Sequence, residues 1–275
     1  MATAKISESY SAVTGKAGEY YGAMSSFATS GSTISMVIIV IVAIIIVIFV
    51  IESAIKLYTK YRKYSTGQPW ILKGTKSAKR RMLVLQDPSA YGSTQLLRSD
   101  DQQTGIEFTY AYWMYIDDWS YKYGTWKHIL HKGSADSWPN RCPGIWLHPT
   151  QNKMRVYINT YNTVAEHIDI DNIPINKWVH VIVTVRQQNT DIYINGNIRK
   201  SVLLSSLPKQ NNGDLYINNY RGFSGFLSNI KYYNYTIPYS EVEALVKAGP
   251  SKMPCVDSGE LPPYLSANWW LSDSK

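Results

Sequence analysis

The densest acidic run in this 275-residue chain is Glu166-His167-Ile168-Asp169-Ile170-Asp171. Paired carboxyls are what glycoside hydrolysis requires, and retaining enzymes hold them about 5–5.5 Å apart as acid and nucleophile. Glu166 and Asp169 are three apart, so on an extended strand they point to opposite faces. Asp169 and Asp171 share a face, but Asn172-Ile173-Pro174 closes the strand directly afterwards. The run therefore reads as the polar face of a strand, and no catalytic residue is assigned. The five histidines, at 128, 131, 148, 167 and 180, lack a tight ligand spacing. His128 and His131 are again three apart and are expected on opposite faces, where they cannot share one ion. His180 follows Trp178 on one face of an apolar strand and reads as a residue of the fold. Asp100-Asp101, Asp117-Asp118 and Asp136 fall in loops without the clustered ligand set of a calcium loop. Gly222-Phe223-Ser224-Gly225 is followed by a strand and by no Lys-Ser/Thr, so it is not a phosphate loop. No serine or cysteine sits in a recognisable nucleophile context. The expectation is a protein that is not an enzyme and that needs no metal or cofactor.

Aromatic side chains are the sharper signal. Trp119, Tyr121, Tyr123, Trp138 and Tyr220 lie near turns, and Trp269 and Trp270 lie in the last residues of the chain. Such rings can stack on sugars or anchor protein interfaces, where aromatic residues carry much of the binding energy. For a domain on the cytosolic side, where glycans are scarce, protein contact is the favoured use.

The elements that must position these residues are mostly strands. From Met82 the apolar pattern takes period two, with turn residues at short intervals. Strands are expected over 106–116, 125–131, 144–148, 154–160, 166–170, 177–186, 214–218 and 225–235. Residues 191–194 and 197–202 form a hairpin around Asn195-Gly196, the dipeptide that best supplies positive φ at both turn positions. Ser240-Glu241-Val242-Glu243 has the form of a capping box opening a short helix that Gly249-Pro250 ends. Many short strands, one helix and no strand–helix alternation indicate an all-β, antiparallel jelly-roll sandwich over 82–250, followed by a Pro/Trp-containing tail over 251–275. Asn234-Tyr235-Thr236, a glycosylation sequon, falls inside the last expected strand.

Before that domain stands an uninterrupted apolar run. Ile34 to Ile51 contains no charge, and at about 1.5 Å per residue it spans roughly 27 Å, close to the hydrocarbon thickness of a bilayer. Ile34, Met36, Ile44, Phe49 and Ile51 mark this single transmembrane helix. The helical spacing of Ile55, Tyr58 and Tyr61 continues it to about residue 64. Residues 1–33 are a short polar segment, and 65–81 read as a basic tether. The chain's formal charge of +8 maps entirely to 52–81, where nine basic residues face one acid. That removes the main support for nucleic-acid binding by the β domain. It also orients the span, with the C-terminal domain on the cytosolic side. Lys56, Lys60, Arg62, Lys63, Lys79, Arg80 and Arg81 are expected at anionic lipid headgroups. Cys142 and Cys255 are too few and too distant for a disulfide scaffold and are expected as thiols.

The order Trp178-x-His180, Tyr193-Ile194-Asn195-Gly196, Asp214-Leu215-Tyr216-Ile217, Gly222-Phe223-x-Gly225-x-Leu227-x-x-Ile230 and Ser240-x-Val242 resembles the concanavalin A-like, laminin-G-type jelly roll over roughly 105–248. That resemblance implies a lectin-like sandwich closed by a small helix. With the membrane span added, the arrangement looks like minor capsid or membrane-associated proteins of large DNA viruses of eukaryotes. It implies a structural protein, a membrane anchor in the virion that links an inner viral membrane to capsid or shell proteins. The other reading is a membrane-tethered lectin that binds a glycan, with a glycan hydrolase third.

Overall fold

A computed structural model describes residues 22, 25–26, 33–100 and 102–255, without the side chains of 35 and 59–66. It divides into two units, Met1–Lys63 and Tyr64–Lys275. Helix α1 (Thr33–Gly67), which lies in the first unit as far as Lys63, includes the expected span and runs past its expected end. Met36–Tyr58 is long and apolar enough to cross a membrane. Every large apolar side chain from Ile34 to Ile51, including Met36, Ile44 and Phe49, is exposed. A helix that is apolar on all sides and buries none of them suits lipid surroundings and has no face to present to a soluble core.

The second unit is a sandwich of two six-stranded antiparallel sheets. The strands are β1 (Trp70–Ser77), β2 (Met82–Val84), β3 (Glu107–Asp118), β4 (Lys127–Gly133), β5 (Arg141–Leu147), β6 (Lys153–Tyr157), β7 (His167–Asp171), β8 (Trp178–Arg186), β9 (Asn189–Ile194), β10 (Asn197–Leu203), β11 (Asp214–Ile217) and β12 (Ser224–Tyr233). One sheet has the order β1-β12-β3-β8-β9-β10 and the other β2-β11-β4-β5-β6-β7. Alternation explains the core between them. Phe108, Tyr110, Tyr112, Met114 and Ile116 of β3 and Val179, Val181, Val183 and Val185 of β8 point inward. They meet Ile145 and Leu147 of β5 and Met154 and Val156 of β6, all buried in the same core. The Tyr112 hydroxyl bridges the sheets to Met154 Sδ at 3.4 Å. At about 1.5–3 kcal/mol for each large apolar side chain fully buried, this layer is the main source of stability.

The outer face of the first sheet is partly covered. Helix α2 (Tyr239–Ala248) sets Val242 against Ala111, Ile182, Tyr233 and Ile237. Its N-cap is Pro238 with no side-chain capping bond, so the expected capping box does not form. Glu241 instead accepts a hydrogen bond from the Tyr233 hydroxyl at 3.0 Å.

Three further expectations are corrected. The stretch 65–81 is no tether: its first three residues complete α1, and Trp70–Ser77 is strand β1, paired with β12 from Trp70↔Lys231 to Ser77↔Phe226. The domain also runs past 250. Thr75 N–H donates to Met253 O and Cys255 N–H to Thr75 O, both at 2.8 Å, so the start of the tail lies parallel along the edge of β1. Gly74 permits that approach, since a Cβ there would sit 2.9 Å from the Cys255 backbone. Third, β12 ends at Tyr233, leaving Asn234 just beyond the strand, where its amide N–H bonds Gly67 O. Trp269 and Trp270 lie outside the described residues. Cys142 and Cys255 are not joined by a disulfide.

Candidate interaction site

The outer face of the second sheet carries a ladder of rings that strand register dictates. Tyr216, His131, Gly144, Tyr157 and His167 are successive cross-strand partners, and His128, Trp146, Arg155 and Asp169 form the neighbouring row. His128 and His131 share this face because β4 shifts register between His128 and Leu130. Ile129 and Leu130 both enter the core, so the alternation is reset by one residue. The expectation of opposite faces is therefore wrong, and the two rings lie 4.8 Å apart.

One backbone donor and one backbone acceptor set the protonation of the pair. Asn219 N–H can only donate, and it points at His128 Nδ1 from 2.9 Å, which leaves that nitrogen bare. His128 Nε2–H then donates to His131 Nδ1 at 2.7 Å, and His131 Nε2–H donates to the Ser134 carbonyl at 2.9 Å. Both rings are neutral with one tautomer each. Burial and then the neighbouring His131 push the His128 pKa well below its ordinary value. Burial also brings His131 down to about 4, against the opposing pull of the Ser134 carbonyl. All four ring nitrogens face one another or the backbone, and no group of three or more metal-binding side chains occurs among the described residues.

This buried layer supports an exposed one. Trp146, 7% exposed, stacks on Tyr220 with centroids 6.0 Å apart, and Tyr220 is 49% exposed. Arg141 lies over Gly144 and places its guanidinium 3.6 Å from the Tyr157 ring centroid. Trp138, 55% exposed, faces the same guanidinium at 5.5 Å.

Three connections meet at the end of the sandwich where Tyr220 sits: residues 78–81, 119–126 and 218–222. The last is a tight turn in which Asn218, Tyr220, Arg221 and Gly222 all have positive φ. Such backbone is costly for side-chain-bearing residues and persists only where neighbours hold it. Here the hold is visible: Asn218 Nδ2 donates to Arg80 O, Tyr121 Oη to Arg221 O at 3.2 Å, and Lys122 Nζ to Tyr220 O. A Cβ on Gly222 would stand 2.0 Å from Ala78 O, so the glycine is required for that close approach. Lys79 Nζ lies 4.8 Å from the Tyr121 ring centroid.

The expected site residues thus separate. Tyr121, Tyr123 and Tyr220 come together at this end, and Tyr123 is well exposed. Trp119 is half-buried against the core under Lys127, so it is no free platform. Trp138 lies on the outer sheet face. Lys79, Arg80 and Arg81 stand in the turn after β1, roughly 23 Å along that strand from its first residue. Lys56, Lys60, Arg62 and Lys63 fall on α1, in the other unit; the side chains of the last three lie outside the described residues. Reading residue by residue missed Lys122 and Arg221, because only the meeting of distant loops joins them.

The carboxylates of the acidic run are engaged elsewhere. Asp169 accepts both Nε and Nη2 of Arg155, at 2.6 and 2.7 Å, and that bidentate pair holds its pKa low. Glu166 accepts the Ser205 amide and hydroxyl at 2.6 Å and the Thr160 hydroxyl at 2.9 Å. Burial alone would raise its pKa, but these donors outweigh burial and hold it below the usual range.

Comparison with curated proteins finds no match. Among solved structures, the receptor binding domain of botulinum neurotoxin mosaic serotype C/D is similar over 66% of this chain and 45% of its own, at 11% identity and a TM-score of 0.48. The binding domain of botulinum neurotoxin DC, solved in complex with SialylT, is similar over 52% of this chain and 35% of its own, at 16% identity and a TM-score of 0.43. The chain spans less than half the length of these two structures. The family described as the concanavalin A-like lectin/glucanases superfamily matches residues 89–243. By that match over more than half of its length, and by the two-sheet antiparallel sandwich that carries it, the chain belongs to the concanavalin A-like lectin/glucanase superfamily.

Proposed function

We propose that this is a non-enzymatic, membrane-anchored contact protein. Helix α1 crosses the bilayer and the lectin-like domain engages a partner protein on the cytosolic side. The observation that carries this reading is the rigid, exposed aromatic–cationic end around Tyr220, fixed on the buried Trp146–His128 layer. Preorganised aromatic anchors, with Arg beside them, are enriched at protein interfaces. The excess of positive charge after the span supports the orientation. The same anchor-plus-sandwich arrangement suits a minor capsid-type protein that links an inner viral membrane to its shell.

The test is a photo-crosslinking residue at position 220 in the full-length protein in its own membranes, with the same probe at Asp171 as a control. A discrete partner cross-linked from 220 and not from 171 supports the reading. Cross-linking from neither position overturns it.

Family membership and the half-exposed Trp138 beside Arg141 support a second reading, a membrane-tethered lectin. Glycan-array binding that disappears in Trp138→Ala would establish it in place of the first.

A further inference from the structure

The loop end around Tyr220 holds more cations than anions, and these cations form no ion pair among the described residues. Lys79, Lys122 and Arg221 come from three separate connections, and none of them has a carboxylate within ion-pair distance among the described residues. Each is held by uncharged groups instead. Lys79 lies on the Tyr121 ring, Lys122 donates to Tyr220 O, and the Tyr121 hydroxyl fastens Arg221 through its carbonyl. Two carboxylates lie nearby without forming an ion pair: Asp118, whose oxygens accept from Ser120 and whose pKa is held low by those bonds and more weakly by Lys79, and Asp117, which accepts from the Ser224 hydroxyl. Lys122 and Arg221 repel one another, and burial together with that repulsion lowers the Lys122 pKa. Holding like charges together on a strained turn costs stability, and such a cost is characteristic of a recognition surface.

Resting on the contact-protein reading, we infer that this end receives an acidic protein segment, Asp/Glu side chains pairing with Lys79, Lys122 and Arg221 while an apolar side chain covers Tyr220. Charge complementarity favours a peptide over a neutral sugar. The Tyr121 hydroxyl and Asn218 Nδ2 already donate to backbone carbonyls.

The test uses the full chain in nanodiscs of neutral lipid and a fluorescent peptide rich in Glu with a central Leu, followed by anisotropy at rising salt. Binding is expected to weaken on the order of tenfold or more in Lys79→Glu/Lys122→Glu/Arg221→Glu and to fall steeply with salt. A glutamine triple variant at the same positions guards against misfolding, and its melting temperature is compared with wild type. Equal binding by wild type and both variants overturns the inference. So does selective binding of a sulfated oligosaccharide or of phosphatidylserine vesicles in place of the peptide. Cross-linking from position 220 separates the two claims: a partner retained in the charge-reversed protein removes this surface but leaves the contact reading intact. No partner in either protein removes both.

Discussion

His128 Nε2 lies 2.7 Å from His131 Nδ1, the middle link of a hydrogen-bonded chain from the 218–222 turn to the Ser134 carbonyl. The chain ties the turn that carries Tyr220 to the sheet beneath it, and it requires both rings to be neutral. The pair also packs in an aromatic surround, with Trp146 4.4 Å from His128 and Tyr216 4.8 Å from His131, centroid to centroid.

Acid should therefore destabilise the domain. The folded pKa of His131 is depressed to about 4 from an ordinary value near 6.5, and that of His180 likewise. The unfolded chain binds these protons more readily, so their contribution is complete above about pH 6.5 and is lost as pH falls toward 4. The expected slope is about 1.4 kcal/mol per pH unit for each histidine across that window. Thermal melts from pH 7 to 4 should show a steep decline. His131→Gln, which can keep one link of the chain, should flatten it, and an unchanged slope in that variant would refute the assignment.

Gly222→Ala should destabilise the domain by several kcal/mol. The new methyl group would meet Ala78 O at 2.0 Å and would sit on a residue with φ of 46°. Backbone strain and a backbone clash add here, placing the change among the severe single substitutions. Gly92 is the control: its φ is also positive, but a Cβ there meets nothing within 4 Å, so Gly92→Ala should cost only the conformational strain of about 1–2 kcal/mol. Denaturant midpoints for the two variants measure the difference.

Ile44→Arg tests the anchor. One arginine at the centre of a span costs about 2.5–3.5 kcal/mol on insertion scales, enough to compromise a lone helix. The variant should leave the alkali-resistant membrane fraction, while Ile44→Leu should remain in it. Protease protection with tags at both termini reads the orientation. Digestion of the C-terminal tag from the cytosolic side is the expected result.

Much of this architecture is legible in the chain, for physical reasons that also mark where legibility stops. Trp178–Arg186 and the Asn195-Gly196 hairpin declare themselves through unbroken β-branched alternation and a turn that demands positive φ. Trp70–Ser77 hides because Gly74 carries an irregularity in its pairing and because Lys73 and Lys76 make it look like solvated chain, although Lys76 is buried. The shared face of His128 and His131 is invisible to an alternation rule, since the shift belongs to the pairing of β4 with β5. At the candidate site, the tyrosines could be named from their turn context. Lys122 and Arg221 acquire meaning only when connections about a hundred residues apart meet, as the bond from Lys122 to Tyr220 records.

Glu166 and Asp169 are the carboxylates a hydrolase reading would choose, and each already has a structural task. Asp169→Asn removes the charge from a half-buried bidentate pair with Arg155 and should lower stability by about 1 kcal/mol. Glu166→Gln puts an amide donor toward groups that now donate to the carboxylate, the Ser205 amide and hydroxyl, and should cost a comparable amount. Neither change should alter reducing-end release from a panel of polysaccharides, because wild type should release none. Turnover by wild type that disappears in Glu166→Gln, with the melting temperature within a few degrees, would replace the contact reading with a hydrolytic one. Lost stability without any turnover to lose would leave both carboxylates as braces: one for the 160–166 turn against residue 205, the other for the register of β6 on β7.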